Sequence, residues 1–285
     1  MTALAVLFAL LGAASNATGT AFQRKAAARL TRGGGLRLIL ALARQPAWLV
    51  GIAGVTGAAL FQALALANGP LSLVQPLFVL ELPFALMISV PLFHRRLPRS
   101  GWGAVAGVVA GLGLVLVAAD PSGSGVSAPM RRWIPMLVLC LGAVAVAVAV
   151  ARPGRPPLFR AAVLGSASAI SNALTAALLK SAVGTLESDG FAPFLTVWQT
   201  YGFVVTGIAA VLLLENALQA GPLVASQPAL TIGDATVSLF LGVFLFDESI
   251  RSGWWLLPEL AGAGLVLWGV LRLTRVIPRL AEPAH

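Results

Sequence analysis

The sequence predicts an all-α fold: a polytopic membrane protein of nine transmembrane helices, with 33–45 as a candidate tenth, arranged as two inverted repeats. Three observations lead there. Several apolar runs reach the roughly 18 residues that read as a membrane span, in a chain that is 58% hydrophobic and 10% charged, where a soluble domain carries about 25% charged residues. Next, Gly69-Pro-Leu-Ser-Leu-Val-Gln-Pro76 recurs 152 residues later as Gly221-Pro-Leu-Val-Ala-Ser-Gln-Pro228; both copies run without a gap to Arg-Ser-Gly-Trp, at Arg99–Trp102 and Arg251–Trp254, with nine of 34 positions identical. Finally, each copy carries a carboxylate near its middle, Glu81 in one and Asp234 in the other.

The nine expected spans are Thr2–Phe22, Ala47–Ala67, Pro70–Phe93, Gly101–Ala119, Trp133–Ala151, Ala161–Leu179, Phe191–Leu214, Ala220–Phe246 and Gly253–Leu271. Each must be helical, because a lone strand in lipid leaves its backbone groups unpaired. The first span resembles a signal peptide in its apolar stretch and small residues, but it lacks the basic leading region. Ser15-Asn16-Ala17 also recurs as Ser171-Asn172-Ala173 in the sixth span, followed at equal distance by Arg24 and Lys180. The first span is therefore expected to be a retained helix. Segment 33–45 is apolar but broken by Arg37 and Arg44, and it reads as an interfacial helix.

The first span matches the sixth, the third the eighth and the fourth the ninth, while the second pairs with the seventh by position. An offset of five spans turns the second copy upside down. The expected organisation of the single membrane domain 1–285 is a first repeat at 1–119, a linking loop and fifth helix at 120–156, a second repeat at 157–275 and a short cytoplasmic tail at 276–285. Inverted repeats of this kind typify secondary transporters, whose sites lie near the bilayer midplane.

Orientation follows from Lys and Arg. With the N-terminus outside and the C-terminus cytoplasmic, 15 of the 19 basic residues fall in inner loops, and Arg131, Arg132, Lys180 and Arg251 fall outside. That bias fits the positive-inside rule and points to the plasma (inner) membrane. It also accounts for the +9 charge without a nucleic-acid partner. Trp48, Trp102, Trp133, Trp254 and Trp255 fall at span ends as an interfacial belt, whereas Trp198 and Tyr201 fall deeper. The lone Cys140 excludes an intrachain disulfide. With two histidines and no metal-binding or phosphate-binding signature, neither an enzyme nor a cofactor is expected.

A carboxylate at mid-bilayer costs about 2.5–3.5 kcal/mol on insertion scales and marks a functional site by default. No Lys, Arg or His falls in the central part of an expected span, so Glu81 and Asp234 are read as proton relays, as ligands of a mobile cation such as a metal ion, or as neutral acids in helix–helix hydrogen bonds. Gln75, Gln227, Asn16 and Asn172 add neutral oxygens and N–H donors, Asn16 toward the inner end of its span and Asn172 toward the outer end of its own. Such an oxygen set suits Mg²⁺, a proton or an organic cation. Pro76 and Pro228 are helix breaks that free the carbonyls of Ser72 and Val224, and Gly233 is placed to loosen the eighth span. Glu259, near the outer end of the ninth span, is a candidate gate. Glu187, Asp189, Asp247 and Glu248 make the outer loops acidic. Gly103, Gly107 and Gly111, with Gly262 and Gly264, are expected to pack helices closely.

With its inverted halves, Pro76, Pro228 and the helix end Gly242-Val-Phe-Leu-Phe-Asp-Glu248, the chain resembles the drug/metabolite transporter (EamA-like) superfamily. Gln23-Arg24-Lys25, Gly69–Pro76 and Gly221–Glu248 are most similar to a branch of actinobacterial Ala/Val/Leu-rich integral membrane proteins, itself similar to NIPA-type magnesium transporters. The resemblance implies transport of a small solute or cation across the lipid bilayer, with a second copy of the chain as a candidate partner. Typical members carry an acid at this helix end in both halves. Glu248 matches as a candidate gate, whereas the first half has His94-Arg95-Arg96. The competing readings are a proton-coupled exporter of small metabolites or drugs and, in another class, a non-transporting membrane scaffold.

Overall fold

A computed structural model describes residues 2–28, 45–92, 98–123, 125–251 and 253–281. Among them, nine helices are long and apolar enough to cross a membrane, and the protein is an all-α polytopic membrane protein. Nearly all of the candidate tenth span 33–45 lies outside the described residues, as do His94, Arg95 and Arg96.

Helices overrun several apolar stretches because backbone hydrogen bonding continues past the bilayer wherever water takes up the polar side chains. The first runs Thr2–Ala28 and the sixth Pro157–Asp189. At 1.5 Å per residue the sixth is about 50 Å long, well beyond a hydrocarbon core of about 30 Å. Asn16 is consequently the fifteenth of 27 residues and Asn172 the sixteenth of 33. Asn172 thus sits at mid-helix rather than toward one end, whereas Asn16, fourteenth of the 21 residues of the apolar span Ala3–Gln23, lies past its middle as expected. The ninth helix extends to Ala281, past the expected span end at Leu271.

The expected seventh span divides. Phe191–Thr196 is a short helix, Val197 is extended, and the span proper is Trp198–Ala220. Hydroxyls replace the missing ladder: Thr196 donates to the Pro193 carbonyl, Thr200 to Phe194 and Tyr201 to Leu195. Trp198 and Tyr201 therefore open the span instead of lying deep. Trp133 is also displaced from its expected interfacial role. It is 0% exposed and packs edge-on against Trp198 (5.2 Å) and Phe246 (6.4 Å).

The third span is broken into Leu71–Leu77, a 3₁₀ turn Phe78–Leu80, and Glu81–Leu92. Pro76 and Pro83 bracket the turn. Pro83 clashes with the Val79 carbonyl four residues back, and that carbonyl lies inside the tightened turn. The eighth span, Leu223–Phe246, holds only Pro228 and stays α-helical throughout. Gly233 does not loosen it. A Cβ there would meet the Ala169 side chain at 2.8 Å, so the glycine lets the sixth span come close.

Packing follows the repeat. The first and second spans pack along their length, as do the sixth and seventh, and the fourth packs against the ninth. Ser15 ties the first span to the Gly54 carbonyl of the second, and Ser168 ties the sixth to the Ala210 carbonyl of the seventh. Gly107, Gly111 and Gly262 lie in the fourth–ninth contact as expected, whereas Gly103 and Gly264 face open space. The sixth span is the most buried and also contacts the second, fifth and eighth.

Candidate functional site

Asp234 is the twelfth residue of the 24-residue eighth span, and Glu81 the eleventh of the 22 in the third. Both carboxylates are thus at mid-span. The close approach at Gly165, whose Cβ would meet the Ser226 carbonyl at 2.7 Å, and at Gly233 brings the sixth and eighth spans together. Asn172 Nδ2 then donates to Asp234 Oδ2 at 3.0 Å, and Ser238 Oγ to Oδ1 at a long 3.4 Å. This hydrogen bond ties an acid of one span to an amide of its neighbour. Of the expected site residues, the structure brings Asn172 and Asp234 into contact.

Glu81 opens the second half of the third span and is half-buried, its backbone N–H bonded to carbonyls of the preceding turn. That half packs against the first span, the element bearing Asn16. Gln75 is 2% exposed, and neither polar atom of its side chain has a hydrogen-bond partner among the described residues. Ser72 N lies 3.4 Å from a Cβ built on Gly242, so the third and eighth spans run antiparallel side by side. At about 1.5 Å per residue, Gln75 is level with Leu239, five residues beyond Asp234 along the eighth span. Gln227 and Asn16 are half-buried, and Pro76 and Pro228 are buried. Glu259 is half-buried in the first turn of the ninth helix. Among the described residues, no three His, Cys, Asp or Glu side chains come together as a metal cluster.

The sequence reading missed the end of the bundle where the eighth span finishes. Lys180, counted above as an outer-loop charge, is 1% exposed inside the sixth helix, and Glu248, read as part of an acidic outer surface, is 3% exposed. Lys180 Nζ donates to Glu248 Oε1 at 2.6 Å and to the Gly69 carbonyl at 3.2 Å. Glu248 also accepts from Leu71 N (2.6 Å), Ser72 N (2.9 Å) and Ser72 Oγ (2.6 Å). One carboxylate of the second half therefore caps the third span of the first and neutralises a lysine. Lys180 is therefore a buried cation near the end of the bundle rather than a loop charge, while the central parts of the spans keep the expected lack of one among the described residues. The expected sixth span stopped at Leu179, which put Lys180 in a loop; the signal for burial was its place on an uninterrupted helical pattern with Ala182 and Gly184.

Local geometry aims Glu248 inward. Asp247 ends the eighth helix in the left-handed region (φ 53°), and Glu248 N donates to the Gly242 carbonyl at 3.2 Å. Gly242 leaves room for the returning carboxylate, since any Cβ there would overlap Oε2. Further ties bind the halves at this end: Ser122 and Ser249 exchange backbone hydrogen bonds at 3.0 and 2.7 Å, and Arg251 pairs with Asp120 at 2.8 Å. Beside them lies a recess of about 330 Å³ lined by residues that include Asn68, Gly69, Ser122, Lys180 and Glu187.

The chain is 30% identical, over 260 residues, to an uncharacterized protein of Corynebacterium glutamicum, a match covering 87% of this chain and 86% of the relative. No family model matches the chain, and no solved structure does.

Proposed function

This chain belongs to the family of that Corynebacterium glutamicum protein, and we propose that it is a secondary transporter of the drug/metabolite transporter type, working by alternating access in the plasma membrane with its C-terminus cytoplasmic. The observation that carries the reading is the Asn172–Asp234 pair at mid-span. An intramembrane carboxylate is costly, and this one is held by a neighbouring helix at the depth where transporters bind their cargo. The broken third span with Glu81 at its break supports the same reading, because discontinuous helices line such sites. So does Gln75, a buried amide with hydrogen-bonding capacity to offer.

The cargo or coupling species in this proposal is a cation or a proton at Glu81 and Asp234. Its sharper form is Mg²⁺ transport, with oxygens of Gln75, Gln227, Asn16 and Asn172 around a partly hydrated ion. The test is flux into proteoliposomes. Wild type takes up a divalent cation, and Asp234→Asn and Glu81→Gln abolish uptake while remaining folded. Flux of an organic solute tied to a pH gradient replaces the metal reading with the exporter. Absence of flux under every gradient, with folded protein, leaves the scaffold.

A further inference from the structure

The outer end contains a cation site whose occupant is part of the chain. The Lys180 ammonium is held by a carboxylate oxygen of Glu248 at 2.6 Å and a peptide oxygen of Gly69 at 3.2 Å, with the Phe246 ring centroid 4.9 Å away. A carboxylate, a carbonyl and an aromatic face are the groups that bind ammonium-like cations. We propose that this is a monovalent-cation site filled by Lys180 as a tethered ammonium, and that a free cation of the ammonium or alkali class, arriving through the outer recess, competes with Lys180 for Glu248.

The recess reaches the edge of this site: Lys180 and Gly69 line it, and Glu248 lies buried behind them. It provides a destination too. Glu187 lines the same recess seven residues along the same helix, about two turns or 10.5 Å away on the same face. Turning its four-methylene side chain from the buried acid toward that exposed one, past Val126 at Gly184, is the movement this exchange requires of Lys180. The arriving cation would then inherit the Glu248 oxygen and the Gly69 carbonyl. Glu248 also grips Leu71 and Ser72, so exchanging its cation alters the hold on the third span. That consequence, cation-controlled opening of the outer end, rests on the transporter reading; the site itself rests on the geometry.

The test measures occupancy, not flux. In Lys180→Met the tethered ammonium is gone and Glu248 keeps its hydrogen bonds from Leu71 and Ser72 but loses its counter-charge. Thermal unfolding of the purified variant is compared in ammonium, potassium and choline chloride at equal ionic strength. Ammonium or potassium is expected to recover about half of the lost Tm relative to choline, as mass action requires of a ligand that binds only the folded form. Lys180→Met/Glu248→Gln is expected to show no difference among the salts. Should Lys180→Met not fold, the wild type serves. Lys25 and Lys180 are its two lysines, and replacing choline with potassium is expected to speed labelling of Lys180, not Lys25, by an impermeant amine-directed reagent. Equal Tm in all salts, or labelling of Lys180 indifferent to the cation, overturns the proposal. Cation-specific rescue in a protein that transports nothing keeps this site and removes the transporter reading, while flux without rescue does the reverse.

Discussion

The third and eighth spans start alike and end differently. Both open with Leu and carry Gln-Pro at their fifth and sixth positions. The third then breaks at Phe78–Leu80, while the eighth runs unbroken to Phe246. The cause is one proline: Pro83 in the first copy stands where the second has Ala235. At the C-terminal end of the eighth span, Gly242 makes room for Glu248 to reach the other half; the same repeat positions in the first copy are Val90 and Arg96. A repeated sequence thus yields two spans with different work. One is interrupted beside its acid, and the other is a continuous rod whose end reaches across to cap its counterpart.

The largest effect should come from breaking that cap. Lys180→Met or Glu248→Gln alone leaves a buried group unmatched and is expected to cost about 3–5 kcal/mol, with the double variant costing less than the sum. Unfolding in detergent checks this, and single variants within measurement error of wild type would show that the pair bears no weight. Transferring the break comes next. Ala235→Pro gives the eighth span the proline of the third and should cost about 3 kcal/mol, with faster hydrogen exchange one turn upstream as the local signature; unchanged exchange would mean that Pro83 is not what breaks the third span. Gly242→Val copies the first-repeat residue and should cost about 1–3 kcal/mol by overpacking. Its cost should shrink in a Glu248→Ala background, where the obstructed carboxylate is gone. The smallest effect is expected from Asp247→Asn, which removes the exposed partner of Arg132. A surface pair of that kind is worth about 0–1 kcal/mol, so a larger loss would place it with the buried cap.

Composition and periodicity carry what the bilayer dictates. An apolar run long enough to cross must be a helix, because no other open segment satisfies its backbone there. The nine spans were therefore legible, and so were the two mid-span acids as exceptions to an apolar pattern. Lys180 was not legible as a buried group, because a charge at the edge of an apolar run looks like a loop charge until a carboxylate is seen to meet it.

The sequence by itself determined helices, their number among the described residues, and the depth of Glu81 and Asp234, since all three depend on residues close together along the chain. Only the tertiary structure decided which acid meets which partner. Asn172 reaches Asp234 across 62 residues, and Lys180 and Ser72 reach Glu248 across 68 and 176. Such pairings depend on how helices pack and on where a glycine such as Gly233 or Gly242 lets two backbones or a returning side chain come close. Hydropathy measures the affinity of each segment for lipid, and it carries no information about which neighbour a polar group will find once lipid is excluded.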